Sequence, residues 1–349
     1  MNSINKNLIS LDKFINNYLY NKKNGFYMNR DPFGKNGDFT TSPNISILFS
    51  EMIAIWLISF WEDQKKPKKI NIVELGAGNG EMMLQILKTL NNFPQFKKSC
   101  KFYIFEKSPF LKKIQKKKLK KFELNWINNF KRLDSELTLF LGNEFLDSFP
   151  IKQFVKKKNQ WYEKYIDLSS KKNFVIEKKI NIEKYEKKIG IIISKEQKFI
   201  EFSPAAMNII NQISKVVNKY NGGILLIDYG YLEDQMKNTL QVVKNHKIVE
   251  FSNLIKNSDI TYLINYPLLK KIFEKFSLKL NGMISQGKFL VNLGILSRAE
   301  NISKSLRFSE KANVYFRLKR LIDKKEMGDL FKVSFFSNKK INFKLGFDD

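Results

Sequence analysis

The sequence predicts an α/β protein built on a doubly wound parallel sheet, and three observations carry that reading. From residue 70 onward short apolar runs alternate with helical patterns. A glycine-rich turn, Gly76-Ala77-Gly78-Asn79-Gly80, falls where the first run ends and a helix begins. Hydrophobic residues make up 43% of the 349 positions and aromatics 14%, enough apolar surface to offset the entropy of ordering the chain. The length predicts two domains, or one domain with a large insertion.

Taken in order, apolar residues Leu8, Leu11, Phe14, Ile15, Tyr18 and Leu19 recur at helical spacing and predict a leading amphipathic helix over 7–20. Asn24-Gly25 and the run from Asp31 to Asp38 hold too many breakers for regular structure, and Pro43 leads into a buried helix over 44–62. Then follow INIVELG, a helix over 80–90, KFYIFEK, a helix over 108–120, ELNWIN, and the strand LTLFLGNEFLD. Residues 152–200 break this rhythm and read as antiparallel strands around a polar hairpin. A helix over 204–219 returns the chain to GGILLIDYGY, a buried strand ending in a site loop. A helix over 267–276 and a last strand, LFKVSFFS, complete the pattern.

Lys and Arg number 62 against 34 acidic residues, a formal net charge of +28 that raises the expectation of an anionic partner, nucleic acid included. Only six are Arg (Arg30, Arg132, Arg298, Arg307, Arg317 and Arg320), and the lysines are scattered, which favours a solvated basic surface. One cysteine, Cys100, excludes an internal disulfide and a cysteine-based zinc cluster and suits a reducing compartment. The N-terminus resembles neither a secretory signal nor an Arg-rich presequence, so a cytoplasmic location is expected. Ile45 to Trp61 is too short and too polar for a transmembrane span.

The turn at Glu74-Leu75-Gly76-Ala77-Gly78-Asn79-Gly80 lets the backbone approach a ligand closely at a helix start. The dinucleotide fingerprint G-x-G-x-x-G is not met, and Glu81 would repel a phosphate docked there. S-adenosylmethionine, with a sulfonium and no phosphate, fits instead. Glu106 ends the second strand, where an acid can accept both ribose hydroxyls. Asn143, Glu144 and Asp147 follow the fourth strand, at the crevice end of an open sheet. Two carboxylates there could grip a cationic guanidinium.

The ordered set G-F-Y-M-x-R-D-P-F-G-x-x-G-D-F-x-T-S-P, V-E-L-G-A-G-N-G, N-E-F-L-D-S-F-P-I-K-Q-F, E-F-S-P, G-G-I-L-L-I-D-Y-G-Y, S-D-I-T, S-Q-G-K-F-L-V-N-L-G-I and M-G-D-L-F-K-V resembles the MidA-type class I SAM-dependent methyltransferases over residues 20–335. Eukaryotic members of that family are mitochondrial arginine methyltransferases needed for assembly of respiratory complex I. The resemblance implies a Rossmann-like seven-stranded sheet, with Gly37, Asp38 and Thr40 in a segment that folds over the cofactor, S-adenosyl-L-methionine. It also implies a role for His246, the only histidine, which follows the Asp-Tyr-Gly strand as the family's does. Two departures stand out: Ala77 and Asn79 in the glycine loop, and Asn265 where the family commonly has Asp.

The resulting organisation is an N-terminal helical region (1–66), the cofactor-binding half of the sheet (67–150), an antiparallel insertion (151–203) and the remainder of the domain (204–349). Glu74, Gly76, Gly78, Gly80, Glu106 and Asn143, with Gly37, Asp38 and Thr40, are the expected cofactor contacts. Glu144, Asp147, Asp228, Tyr229 and His246 are the expected catalytic group, and no metal is expected. The expected reaction is methyl transfer to an arginine of a protein, by resemblance a respiratory subunit. A non-catalytic assembly factor and a nucleic-acid methyltransferase are the alternatives.

Overall fold

A computed structural model describes residues 7–32, 41–169, 174–244, 247–249, 251 and 258–348. Its centre is a sheet of seven strands: β1 (Ile70–Leu75), β2 (Cys100–Phe105), β3 (Asn125–Ile127), β4 (Leu137–Asn143), β5 (Gly222–Tyr231), β6 (Lys279–Ser285) and β7 (Phe331–Ser337). They lie in the order β6-β7-β5-β4-β1-β2-β3. The β4–β5, β4–β1, β1–β2 and β2–β3 pairs are parallel, and β7 runs antiparallel to both β5 and β6. A two-residue strand, Ile264–Asn265, extends β5 at its end.

The sheet is apolar on both faces because both are covered. Along β1, Ile70 and Ile72 join one buried cluster while Val73 and Leu75 join the other. The first cluster packs under α2 (Ile47–Asp63) and α3 (Glu81–Thr89). α2 is apolar almost all round and buries Phe49, Trp56, Phe60 and Trp61, as a helix hydrophobic on every face must. No helix among the described residues is long and apolar enough to cross a membrane. The opposite face packs under α5 (Pro204–Tyr220) and α6 (Tyr266–Lys275).

Three helices start where the sequence supplies a capping side chain followed within two residues by proline. Ser108 caps α4 (Pro109–Lys118) through Leu111 N at 3.1 Å, and Ser203 caps α5 through Ala206 N at 3.0 Å. Asn265 caps α6 through Leu268 N at 2.8 Å.

Between β4 and α5 lies an antiparallel sheet of Lys152–Lys157, Gln160–Asp167, Phe174–Ile180 and Phe199–Phe202. Its first hairpin turns at Lys158 and Asn159, both with positive φ, as a two-residue turn that follows the strand twist requires. The chain's start departs from the helical expectation here. Leu8–Ser10 is a strand paired with Tyr165–Asp167, and the helix α1 begins only at Leu11 and runs to Tyr20. Lys152 bridges Asp12, at 3.1 Å, and Glu163, tying α1 to this sheet. The segment between β6 and β7 adds four helices that the apolar pattern does not mark: α7 (Gln286–Asn292), α8 (Ile295–Ser303), α9 (Phe308–Ile322) and the single turn Met327–Leu330.

Candidate functional site

The carboxyl ends of β1, β2, β4 and β5 open into one cavity of about 1030 Å³ including its mouth. Asn16 and Tyr20 of α1 close one side, and the chain just after β4 forms another. Tyr20 Oη donates to Ser148 O at 2.9 Å, which seats α1 on that turn.

At one end stands the glycine loop. Gly76, Gly78 and Gly80 all have positive φ, so each occupies backbone space that favours glycine. A Cβ on Gly76 would meet Phe145 Cδ2 at 3.0 Å. Gln115 fastens the loop: its Nε2 donates to Gly78 O at 2.8 Å and to Glu106 Oε2 at 3.1 Å, while its Oε1 accepts Trp126 Nε1 at 3.0 Å. The other Glu106 oxygen accepts Ser108 N at 2.9 Å. Burial raises the Glu106 carboxyl, and these hydrogen bonds oppose the rise.

Behind the loop, Glu74 is buried with Oε2 unpartnered, and burial with the nearby Glu106 pushes it up to about 8. It borders a smaller pocket shared with Thr41, Asn79, Asn143 and Glu144. Glu81 is paired with Lys118 at 2.7 Å and hydrogen-bonded by Gln85 at 2.7 Å. Its charge is therefore compensated, and the case against a phosphate here rests on the glycine spacing.

The other end is acidic. Glu144, with φ +50, accepts a hydrogen bond from Asn143 Nδ2 at 3.1 Å and one from the Ser42 amide. Burial and the neighbouring Asp147 push it up to about 8. Asp147 is buried and raised to about 6 by burial; its Oδ2 accepts Thr261 Oγ1 at 3.3 Å, and Oδ1 has no partner. Tyr229 Oη hydrogen-bonds the same Thr261 hydroxyl.

Asp228 is oriented differently from its neighbours. It is almost wholly buried, with Oδ2 accepting Leu146 N at 2.9 Å and Asp147 N at 3.3 Å and Oδ1 accepting Tyr229 N at 3.0 Å. It staples the turn that carries Asp147, and the cavity wall beside it is Tyr229.

Asp259 is the residue that reasoning from sequence missed as a site member. It sits on the short strand Asp259–Thr261, paired to Gln241–Lys244, and lines the cavity. Tyr27 Oη donates to its Oδ2 at 2.8 Å, Oδ1 is unpartnered, and burial pushes the carboxyl up to about 8. The available signal was the S-D-I-T motif, which places Asp259 and Thr261 on one face of a strand. Gln286, in the S-Q-G-K-F-L motif, is a second. Fully buried, it accepts Ser42 Oγ at 3.2 Å and donates to Leu321 O at 3.0 Å, fixing the segment whose amide holds Glu144.

Asn265 faces elsewhere: beyond capping α6 it donates to Glu233 O at 2.9 Å and does not line this cavity. Gly37, Asp38, Thr40 and His246 lie outside the described residues. No group of metal-ligating side chains occurs among the described residues. Four carboxylates (Glu106, Glu144, Asp147 and Asp259) thus line a cavity whose basic wall residue, among the described residues, is Lys107, in a chain of net charge +28.

Comparison with known proteins agrees with this geometry. Residues 52–284, more than half of the chain, match the family model Methyltransf_28, described as an S-adenosyl-L-methionine-dependent methyltransferase. The protein arginine methyltransferase NDUFAF7, mitochondrial, of Xenopus tropicalis is 27% identical, covering 94% of this chain and 82% of its own length. The Homo sapiens protein of the same name is 26% identical, covering 93% and 78%. The crystal structure of a COG1565 superfamily member from Burkholderia thailandensis bound to S-adenosyl-homocysteine superposes with a TM-score of 0.78 at 20% identity, covering 98% of this chain and 89% of that one. That likeness establishes the fold. The mitochondrial relatives overturn the cytoplasmic location expected from the sequence. By its matched residues, its sheet and its glycine loop, the chain belongs to the Methyltransf_28 family of S-adenosyl-L-methionine-dependent methyltransferases.

Proposed function

We propose that this methyltransferase acts on the guanidinium of an arginine side chain in a protein, and that the acidic end of its cavity is the acceptor site. The observation that carries the reading is the convergence of Glu144, Asp147 and Asp259 on one wall, with an oxygen of each aspartate unpartnered inside the protein. Buried carboxylates held this way are costly unless a cation joins them. A guanidinium offers five donors in a planar fork and matches them; a neutral acceptor would leave them unpaired.

At the opposite end the residues fit the cofactor. Gly76 and Gly78 line the cavity with positive φ, a Cβ on Gly76 would crowd Phe145, Glu106 presents a carboxylate to the ribose hydroxyls, and Glu74 offers an unpartnered acceptor beneath the loop. Asn143 borders the same smaller pocket, toward the methionine end. When bound, S-adenosyl-L-methionine supplies an electrophilic methyl on its sulfonium sulfur.

The protein's own part is alignment and proton transfer. Glu144 and Asp147 hold the guanidinium so that one terminal nitrogen faces the glycine loop. That nitrogen would take up the methyl that the bound sulfonium supplies, leaving a neutral thioether as the departing group. Free guanidinium has a pKa of about 13.8, so its proton leaves late, as the bond forms, to a carboxylate already in contact. Glu144, raised by burial, is the acceptor best matched to that step. Tyr229 and Thr261 orient Asp147, and Asp228 fixes the turn beneath it. By family resemblance the substrate is a subunit of a respiratory complex.

The test is transfer of labelled methyl from S-adenosyl-L-methionine into lysate of cells lacking this gene. Label appears on arginine of one protein, and Glu144→Gln lowers the rate by about 10²–10³-fold while still binding the cofactor. Label on lysine or on RNA, or an unchanged rate in the variant, overturns the reading.

A further inference from the structure

The helix α9 carries a face that the fold leaves uncovered. Its inner side buries Leu318 and Leu321. On the outer side Phe308 is 87% exposed, Phe316 65% and Tyr315 47%. At about 100° per residue these three rings, with the exposed Ala312, fall within one sector about 100° wide. The helix is about 22 Å long at 1.5 Å per residue, so the rings form a line along it.

Cations frame the line. Lys311 lies at one edge of the sector, Arg320 at the other and Lys319 within it, and Lys304, Lys324 and Lys325 flank the helix. Glu310 is the only acidic residue on α9, and Arg307 pairs with it at 3.2 Å. None of these residues lines the catalytic cavity.

We propose that α9 docks this enzyme on an anionic lipid surface, lying in the interface with Phe308, Tyr315 and Phe316 among the headgroups and upper acyl chains. Three features select that occupant. The sign of the flanking charge complements anionic headgroups. The outer face of a helix is a convex strip, and a bilayer interface accepts rings anywhere along a plane. The helix is too short and too polar to span, so it can lie on a membrane but not cross it. The net charge of +28 supplies the long-range attraction, and the rings supply the anchor.

The experiment pellets the full-length protein with vesicles of phosphatidylcholine alone or of phosphatidylcholine mixed with phosphatidylglycerol. Binding is expected to the anionic vesicles and to weaken with salt. The double variant Phe308→Ser/Phe316→Ser binds roughly a hundredfold more weakly, about tenfold per ring, with unchanged thermal unfolding and cofactor binding. A Phe316→Trp variant shows a blue-shifted emission that brominated acyl chains quench. Failure to bind anionic vesicles at low salt overturns the proposal. So does binding that the double variant leaves intact, which would assign the attraction to overall charge alone. Loss of self-association in the double variant without any vesicle binding also overturns it and assigns the face to a protein contact.

Discussion

The two ends of the catalytic cavity are finished to different degrees. At the glycine-loop end both oxygens of Glu106 are already hydrogen-bonded, by Ser108 and Gln115, and the loop is fastened from behind. At the acidic end Asp147 and Asp259 each keep an unpartnered oxygen, and Glu144 and Asp259 are pushed up to about 8. Toward the cavity one end is satisfied as folded, its unpartnered carboxylate oxygen, on Glu74, facing the smaller pocket behind the loop; the other becomes electrostatically complete only when a cation enters. On the proposed assignment, a cofactor common to many enzymes is met by a rigid template, while the acceptor end draws its selectivity from what it lacks.

Gly76→Val should break the finished end outright. The new Cβ meets Phe145, and the positive φ costs about 1–2 kcal/mol for a side chain, so cofactor binding falls by more than about a hundredfold in calorimetry. Asp259→Asn should strike the other end alone. The acceptor KM rises about tenfold or more while cofactor affinity stays at the wild-type value, a split visible in steady-state kinetics.

Protons provide a gentler probe of the same contrast. In the folded chain Glu74, Glu144 and Asp259 stand at about 8 and Asp147 at about 6, all above their ordinary unfolded values. The folded protein therefore holds more protons at neutral pH than the unfolded chain. That stabilisation is complete below the ordinary carboxylate range and is lost as pH rises through about 8. The unfolding temperature without ligands should fall across that window, and Glu144→Gln should make the fall shallower. A cationic acceptor should release protons on binding, which calorimetry in buffers of different ionisation enthalpy reads directly. The smallest effect belongs to Asn265→Asp: a loss of about 1–2 kcal/mol in denaturant unfolding, because a carboxylate would face Glu233 O, with no change in acceptor KM.

The sequence exposes the parts of this architecture that local chemistry dictates. Apolar runs ending in glycine mark β1 and β5, and Ser-Pro pairs mark the starts of α4 and α5, because strand burial and helix capping are written in adjacent residues. Leu8–Ser10 looks like the first turn of a helix; only its pairing with Tyr165–Asp167, far along the chain, makes it a strand. The basic helix α9 buries few residues, so its apolar period is weak, and its outward aromatics cut across the pattern. For Asp259 the S-D-I-T motif marks a strand face but not a role. Its importance comes from burial beside Tyr27, which folding alone brings to it. Asn265, by contrast, is conspicuous in sequence for replacing a carboxylate, yet its amide serves a helix cap and a carbonyl away from the cavity.

The side chain of Gln115 has a kinetic consequence. Through one amide it joins the glycine loop, the ribose-side carboxylate and the indole of Trp126, and it does so from outside the space a ligand occupies. The wall therefore keeps its shape while its contents change. On the proposed assignment, exchange of spent for fresh cofactor then needs no melting of the glycine loop itself.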